Sequence, residues 1–411
     1  MPRIRPLKTY LARLLSLIYQ DGSVSRNQLV KYTGYSTFLV SKLTDRLLHD
    51  GLVREVGVAK SSLGRPPSML SINPEIGRLV GVHVGTINLR VVLTDMTGNV
   101  LAQRIDRSMV QEAPEKALNH MLRVIMATIK AANVKKENIS AVGIGIAGIV
   151  DRERGTILSW PKVPSWTNVP VRSFFQDNLK TNVDVEDIVR TMALAERRLG
   201  KARGAKEFIY IALGVGTGSA LFFGGKLYTG KGGFAGEFGH TTIDEQGPLC
   251  SCGNRGCIEA SVSASTIIQR AQNALDLGVS TRLQMTTREN GGGVTLEAIA
   301  QAAEANDRFC LSLLSEVGLH IGTGIAGLIN LLNPELVILG GGLPKAAGKW
   351  LLPSIKRMVQ ERALENPAQH VTIELSDLDG IDWARGAAFL VNEKAIHNAL
   401  SSSQKELTIA G

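Results

Sequence analysis

The chain has 411 residues, 44% of them hydrophobic and 20% charged, with a formal net charge of +9. Four cysteines at this length exclude a disulfide-stapled secreted scaffold. The basic start MPRIRPLKTYLARLL lacks the apolar core and small-residue cleavage site of a signal peptide, and no run of about 18 apolar residues marks a membrane span. The expectation is a cytoplasmic chain of two or three domains with no membrane insertion.

The first seventy residues hold eleven Lys and Arg against four acids, so seven of the nine net positive charges sit in about one sixth of the chain. A polyanionic partner follows from that concentration, with a merely solvated surface as the plain alternative. Three short amphipathic segments are predicted here. Lys8–Gln20 carries Leu11, Leu14, Leu15, Leu17 and Ile18, and Ser25–Tyr32 follows the Asp21-Gly22 turn. Ser36 reads as the N-cap of a third helix over Thr37–His49 with an inward stripe of Val40, Leu43 and Leu47. Its other side shows Thr37, Ser41, Lys42, Asp45 and Arg46, small and polar enough for a major groove.

Leu52–Val58 and Ser68–Ile72 read as two strands joined by AKSSLGRPP, which completes a winged helix-turn-helix. Lys60 and Arg65 sit in the wing, where Gly and Pro beside the arginine suit entry into a narrow minor groove. A three-helix protein-interaction module is the competing reading. The DNA-contact candidates are Arg26, Ser36, Thr37, Ser41, Lys42, Arg46, Lys60 and Arg65.

Beyond Gly77 the pattern changes to alternating strands and helices rich in glycine. Leu79–Asp95 reads as a hairpin, Val100–Ser108 as a strand, Pro114–Ala132 as a helix and Ala141–Ile146 as a strand. Phe208–Phe222 reads as two strands around LGVGTGS, and the helix Leu311–Leu332 leads into the buried strand LVILGGG. An α/β domain of two lobes with a cleft between them is expected.

The block GEFGHTTIDEQGPLCSCGNRGCIEA places Glu-x-Gly-His before Cys-x-Cys-x4-Cys and a further Glu. It resembles the signature of the ROK family (repressors, open reading frames and sugar kinases). VGIGIAGIVD, VPSWTNVPV, GGKLYTG, NPELVILGGG and WARGAA extend the resemblance over roughly residues 77–390. The resemblance implies an actin-like, ribonuclease H-like two-lobed sugar-kinase fold. With the winged helix in front, the chain resembles sugar-responsive repressors of the Mlc and NagC type. The expected domains are 1–74 for DNA binding, 75–195 for a first lobe completed by a C-terminal helix near 385–400, and 196–384 for a second lobe.

His240, Cys250, Cys252 and Cys257 form H-x9-C-x-C-x4-C, a closed set of one imidazole and three thiolates that suits structural zinc. A disulfide would leave one thiol and His240 unexplained. The resemblance makes Glu237, His240 and Glu259 contacts to sugar hydroxyls, and adds Asp187 and Lys162 to the effector site. It also implies kinase elements that are altered here. The first phosphate loop reads His83-Val84-Gly85-Thr86-Ile87 where the family has Asp-x-Gly-Gly-Thr. The second reads Gly214-Val215-Gly216 where it has Gly-Thr-Gly, and Ile188 stands at the catalytic Asp. The expected function is a DNA-binding regulator of carbohydrate genes, not an enzyme. Its expected partners are a two-fold DNA operator, a second or further copies of the chain, and a sugar or sugar-phosphate effector. His83, Lys162 and Arg190 point to an anionic effector. A sugar kinase with a DNA-binding appendage and a repressor governed by a phosphotransferase-system protein are the alternatives.

Overall fold

The computed structural model describes residues 7–58, 68–289 and 292–409. Its first unit contains α1 (Leu7–Asp21), α2 (Arg26–Thr33) and α3 (Thr37–His49). A three-stranded sheet accompanies them, with β1 (Val24–Ser25), β2 (Val53–Val58) and β3 (Ser68–Ile72) in the order β1-β3-β2. The helix of the second predicted segment starts at Arg26 because the Ser25 hydroxyl is used as its cap. Ser25 accepts from the Gln28 amide while the Gln28 side chain accepts from the Ser25 amide. Ser36 caps α3 as the sequence predicts, accepting from the Leu39 amide. The wing segment carrying Lys60 and Arg65 lies outside the described residues.

The next sheet contains β4 (Arg78–Val84), β5 (Asn88–Asp95), β6 (Val100–Arg107), β7 (Ile139–Ile146) and β10 (Asn182–Asp187). Helices α4 (Pro114–Ala131) and α5 (Val171–Leu179) and the ribbon of β8 (Ile149–Asp151) and β9 (Thr156–Ser159) fill its connections. α6 (Ile188–Leu199) then leads to a second sheet of β11 (Phe208–Leu213), β12 (Thr217–Phe223), β13 (Lys226–Tyr228), β14 (Leu336–Gly340) and β15 (Thr372–Leu375). Around it lie α7 (Ile258–Val262), α8 (Ala264–Asp276), α9 (Leu283–Glu289), α10 (Leu296–Glu304), α11 (Arg308–Leu332), α12 (Gly342–Arg362) and α13 (Glu365–His370).

The two five-stranded sheets repeat one topology. Each is an antiparallel meander (β4-β5-β6, β11-β12-β13) whose first strand is extended by two parallel neighbours (β7 and β10, β14 and β15). This repeated unit is the actin-like, ribonuclease H-like architecture. Sequence periodicity did not disclose the repeat, because the two copies share strand order and direction but not residues.

α14 (Gly380–Ile409) returns to the first sheet. A Cβ on Gly81 would lie 2.0 Å from the Ala384 carbonyl and one on Gly143 1.8 Å from that of Ala387. Glycine at both positions therefore lets the helix backbone rest directly on β4 and β7. The chain consequently rejoins the first lobe at Gly380, ahead of residue 384. α14 also joins the N-terminal unit, since Val391, Ala395, Ile396 and Leu400 share one buried cluster with Leu11, Leu14, Ile18 and Leu70.

α11 is long and apolar enough by length and mean hydropathy to cross a membrane. Its Val317, Ile321, Ile325 and Ile329 are fully buried in the core of the second lobe with Val337 and Ile355, so its apolarity is used for packing.

Candidate functional site

A cavity of about 710 Å³ lies between the lobes. It is built at the carboxyl ends of parallel strands. Gly85 follows β4, Ala147 follows β7, Asp187 ends β10, Gly214 follows β11 and Gly341 follows β14, and all five line it. Glu237, His240, Glu259, Asp187 and Lys162 line the same cavity. Lys162, from the first lobe, reaches across to Glu259 Oε1 at 3.0 Å and also donates to the Val215 carbonyl. The other oxygen of Glu259 accepts from the Thr217 amide at 2.7 Å, so both carboxylate oxygens are occupied within the protein.

Beside the cavity, His240 and the three cysteines bring their ligating atoms within 4.8 Å of one another. Cys250 Sγ lies 3.7 Å from His240 Nδ1, and Cys252 Sγ lies 3.8 Å from Cys257 Sγ. A tetrahedral ion with bonds of about 2.3 Å separates its ligands by roughly 3.8 Å. The set therefore fits a metal ion through Nδ1, leaving Nε2 as the His240 nitrogen available to the cavity. Without an ion, burial and the two neighbouring thiols push the Cys257 thiol up to about 12, a penalty that a bound dication removes. The loop holds its shape by short backbone bonds, Cys250 N to Asn254 O and Gly256 N to Pro248 O. Gly256 has φ +67°, and a Cβ there would fall 1.6 Å from the Asp244 carbonyl. Cys257 is also the N-cap of α7, which carries Glu259. The metal cluster and the cavity wall are thus one covalent unit.

The altered kinase positions acquire structural explanations. Asp187 is the N-cap of α6, its Oδ1 accepting from the amides of Val189 and Arg190. Ile188 is the first residue of that helix and lines the cavity with an alkyl side chain. Thr217 opens β12, paired with Leu213, and its hydroxyl is buried without a hydrogen-bond partner among the described residues.

The three groups expected to attract an anion are neutralised. Burial, reinforced by Arg90, pulls His83 down to about 3, so its imidazole is uncharged. Lys162 is paired with Glu259. Arg190 is paired with Glu186 at 3.1 Å and donates to the carbonyls of Gly233 and Ala235 at 2.7 and 2.8 Å. None of these three groups therefore offers a free cation to a ligand.

Burial pushes the Asp187 carboxyl up to about 7, Arg190 opposing the shift and Glu186 and Glu237 adding to it. The folded chain therefore holds a proton that an unfolded Asp, with a pKa of about 3.9, has released. This stabilising contribution is present below about pH 4 and is lost as pH rises through about 7. The stability difference between wild type and Asp187→Asn, measured by urea unfolding from pH 4 to 8, should fall across that window. A difference independent of pH would rule out the shifted carboxyl.

On the first unit, the DNA-contact candidates divide. Arg26 is tied to Thr44, Asp45 and Glu55 at 3.1–3.2 Å, bridging α2, α3 and β2. Arg46 pairs with Asp50 at 2.9 Å, and the Ser36 hydroxyl caps its helix. Thr37 and Lys42 stay exposed, with Ser41 half-buried beside them. The sequence reading missed Phe38, 78% exposed on the same helix. It also missed Arg198, whose partners Tyr19 and Gln20 lie 179 and 178 residues away in the chain. No local pattern marks Arg198, whereas the helical period of α3 places Phe38 opposite its buried stripe.

Residues 79–394 match the ROK family. The xylose repressor of Caldicellulosiruptor bescii is 33% identical over 89% of this chain and 90% of its own length. The DNA-binding transcriptional dual regulator NagC of Escherichia coli is 29% identical over 95% of this chain and 93% of its own. Among solved structures, a ROK family transcriptional regulator homologous to the E. coli MLC protein superposes with TM-score 0.80 at 26% identity, covering 96% of this chain and 97% of that one. A ROK family glucokinase from Streptomyces griseus, solved with glucose and AMPPNP, gives TM-score 0.67 at 27% identity, covering 76% of this chain and 99% of its own. With the family match spanning most of the chain and the DNA-binding unit inside the regulator alignments, this chain belongs to the ROK family.

Proposed function

We propose that this chain is a sequence-specific DNA-binding transcriptional regulator, a cytoplasmic repressor of carbohydrate uptake or catabolism genes, and that its effector is a neutral sugar held between the lobes. The observation that carries this reading is the position of α6. Asp187 at its start lines the cavity, and Arg198 in its last turn donates to the carbonyls of Tyr19 and Gln20 at the end of α1. A rigid helix of twelve residues, about 18 Å long, thus joins the effector site to the DNA-binding unit. Sugar hydroxyls would donate to Glu237, Glu259 and Asp187 and meet the free nitrogen of His240. Binding beside the Lys162–Glu259 pair shifts α6, and through it α1.

His240, Cys250, Cys252 and Cys257 would hold structural zinc. All four positions of a tetrahedral ion are filled by protein, so zinc there fixes the sugar-facing wall and activates no water. The protein acts as a homodimer or homotetramer on a two-fold operator, the arrangement expected of paired helix-turn-helix units.

Xylose is the first effector candidate, given the name of the relative at 33% identity; N-acetylglucosamine is the second, because other relatives are named N-acetylglucosamine repressors. The test is a titration of each sugar and its phosphate ester against protein bound to selected DNA duplexes. A neutral sugar should change operator affinity, and preference for the phosphate ester would overturn the neutral-effector reading.

Asp187 near neutrality has the pKa of a general base, which favours one competing reading, a sugar kinase. Its occupied Oδ1 and the alkyl group at Ile188 oppose that role. ADP release from ATP and hexose that disappears in Asp187→Ala would establish the kinase instead.

A further inference from the structure

Phe38 is the second residue of α3, and its side chain is 78% exposed. At 100° per residue it lies opposite the buried stripe of Val40, Leu43 and Leu47. It shares its line with exposed Lys42 and Asp45, four and seven positions on. Nothing in the hydrophobic core of the first unit needs this ring, because that core is closed by Leu11, Leu14, Ile18, Leu29, Val40, Leu43 and Leu47, each no more than 1% exposed. A large apolar group exposed on a strongly basic unit suits a partner that joins apolar contact to negative charge.

Duplex DNA offers both. The first turn of the second helix in a helix-turn-helix meets base edges in the major groove, where the C5-methyl of thymine is the apolar feature presented. The neighbouring polar groups sharpen the assignment. The Ser36 hydroxyl is used in capping, and Asp45 is held by Arg26 at 3.2 Å. Phe38, Thr37 and Lys42 are left as the exposed groups of the first two turns. Lys42 supplies charge without base identity. We propose that Phe38 is a specificity-determining residue that reads a thymine methyl in each operator half-site. This inference rests on the DNA-binding reading above and adds the base it recognises.

The test starts from duplexes selected out of a random pool by the full-length wild-type protein. Each thymine of the tightest duplex is then replaced by deoxyuridine, which removes only the methyl. At one symmetry-related pair of positions, wild type should bind roughly fourfold more weakly per half-site, the scale of one buried methyl group. Phe38→Ala should bind the thymine and uracil duplexes equally and lose base preference at that position on reselection. It should keep the preferences at other positions and the salt-dependent binding to unrelated DNA. Phe38→Leu, which keeps an apolar tip, should retain part of the thymine preference. If Phe38→Ala shows the same uracil penalties and selects the same sequence as wild type, the proposal is wrong. A wild-type selection that enriches no sequence would overturn the DNA-binding reading and this inference with it.

Discussion

Arg198→Ala should leave a protein that still binds its operator and its sugar but no longer couples the two. The Arg198 guanidinium sits 3.6 Å from the Tyr19 ring and donates to the Tyr19 and Gln20 carbonyls at 2.7 and 3.0 Å. Those carbonyls belong to the last turn of α1, where the dipole favours a cation, and that of Tyr19 also accepts from the Gly22 amide at 3.3 Å. Phe389 of α14 lies on another side of the same group at 5.6 Å. Arg198 is therefore a three-way junction between α1, α6 and α14.

Allosteric couplings are typically 1–3 kcal/mol. Losing this junction should reduce an effector response of about five- to 150-fold to less than about twofold. Anisotropy titrations of operator with and without sugar, alongside calorimetry of sugar binding alone, separate coupling from affinity. Arg198→Lys should recover only part of the response, because an ammonium cannot fork to two carbonyls while stacking on a ring. Full coupling in Arg198→Ala would show that the signal travels by another route, such as the Gln20–Glu393 contact of 3.2 Å between α1 and α14.

Cys257→Ser should cost metal, stability and sugar binding together. Cys257 is fully buried, belongs to the four-residue cluster suited to a metal and sits at the N-cap position of the helix bearing Glu259. Structural zinc contributes directly to folding free energy. A loss of several kcal/mol from the second lobe corresponds to a fall in Tm on the order of 10 °C. Plasma mass spectrometry should find one zinc per wild-type chain and much less in the variant. Cys310→Ser provides the control, since Cys310 is buried in the core away from the cluster and should keep its zinc. A Cys257→Ser protein that binds sugar normally would detach the metal from effector recognition.

The contrast between these two residues shows what a sequence can disclose. The His-Cys cluster was legible because its four ligands fall within 18 positions and the chemistry depends on residue type and spacing. α3 was legible for a similar reason, as helix period and capping are local. Its boundaries, Thr37–His49, and its Ser36 cap agree with the pattern. Arg198 had no such signature, because its meaning comes from carbonyls supplied by the far end of the chain.

The residue types by themselves pointed to an α/β chain with a basic helix-turn-helix and a His-Cys set suited to a metal, while the altered phosphate loops showed only against the family resemblance. Periodicity, caps and ligand spacing are short-range properties, and they survive in a linear reading. Only the tertiary structure decided how charges are shared. It paired Lys162 with Glu259, Arg190 with Glu186 and Arg26 with Asp45, and it buried His83 as a neutral ring. A side chain's charge is set by residue type, but its availability to a ligand depends on desolvation and partners brought together by folding. That is why residue type offered His83, Lys162 and Arg190 as cations for a ligand while the folded cleft leaves none of the three free.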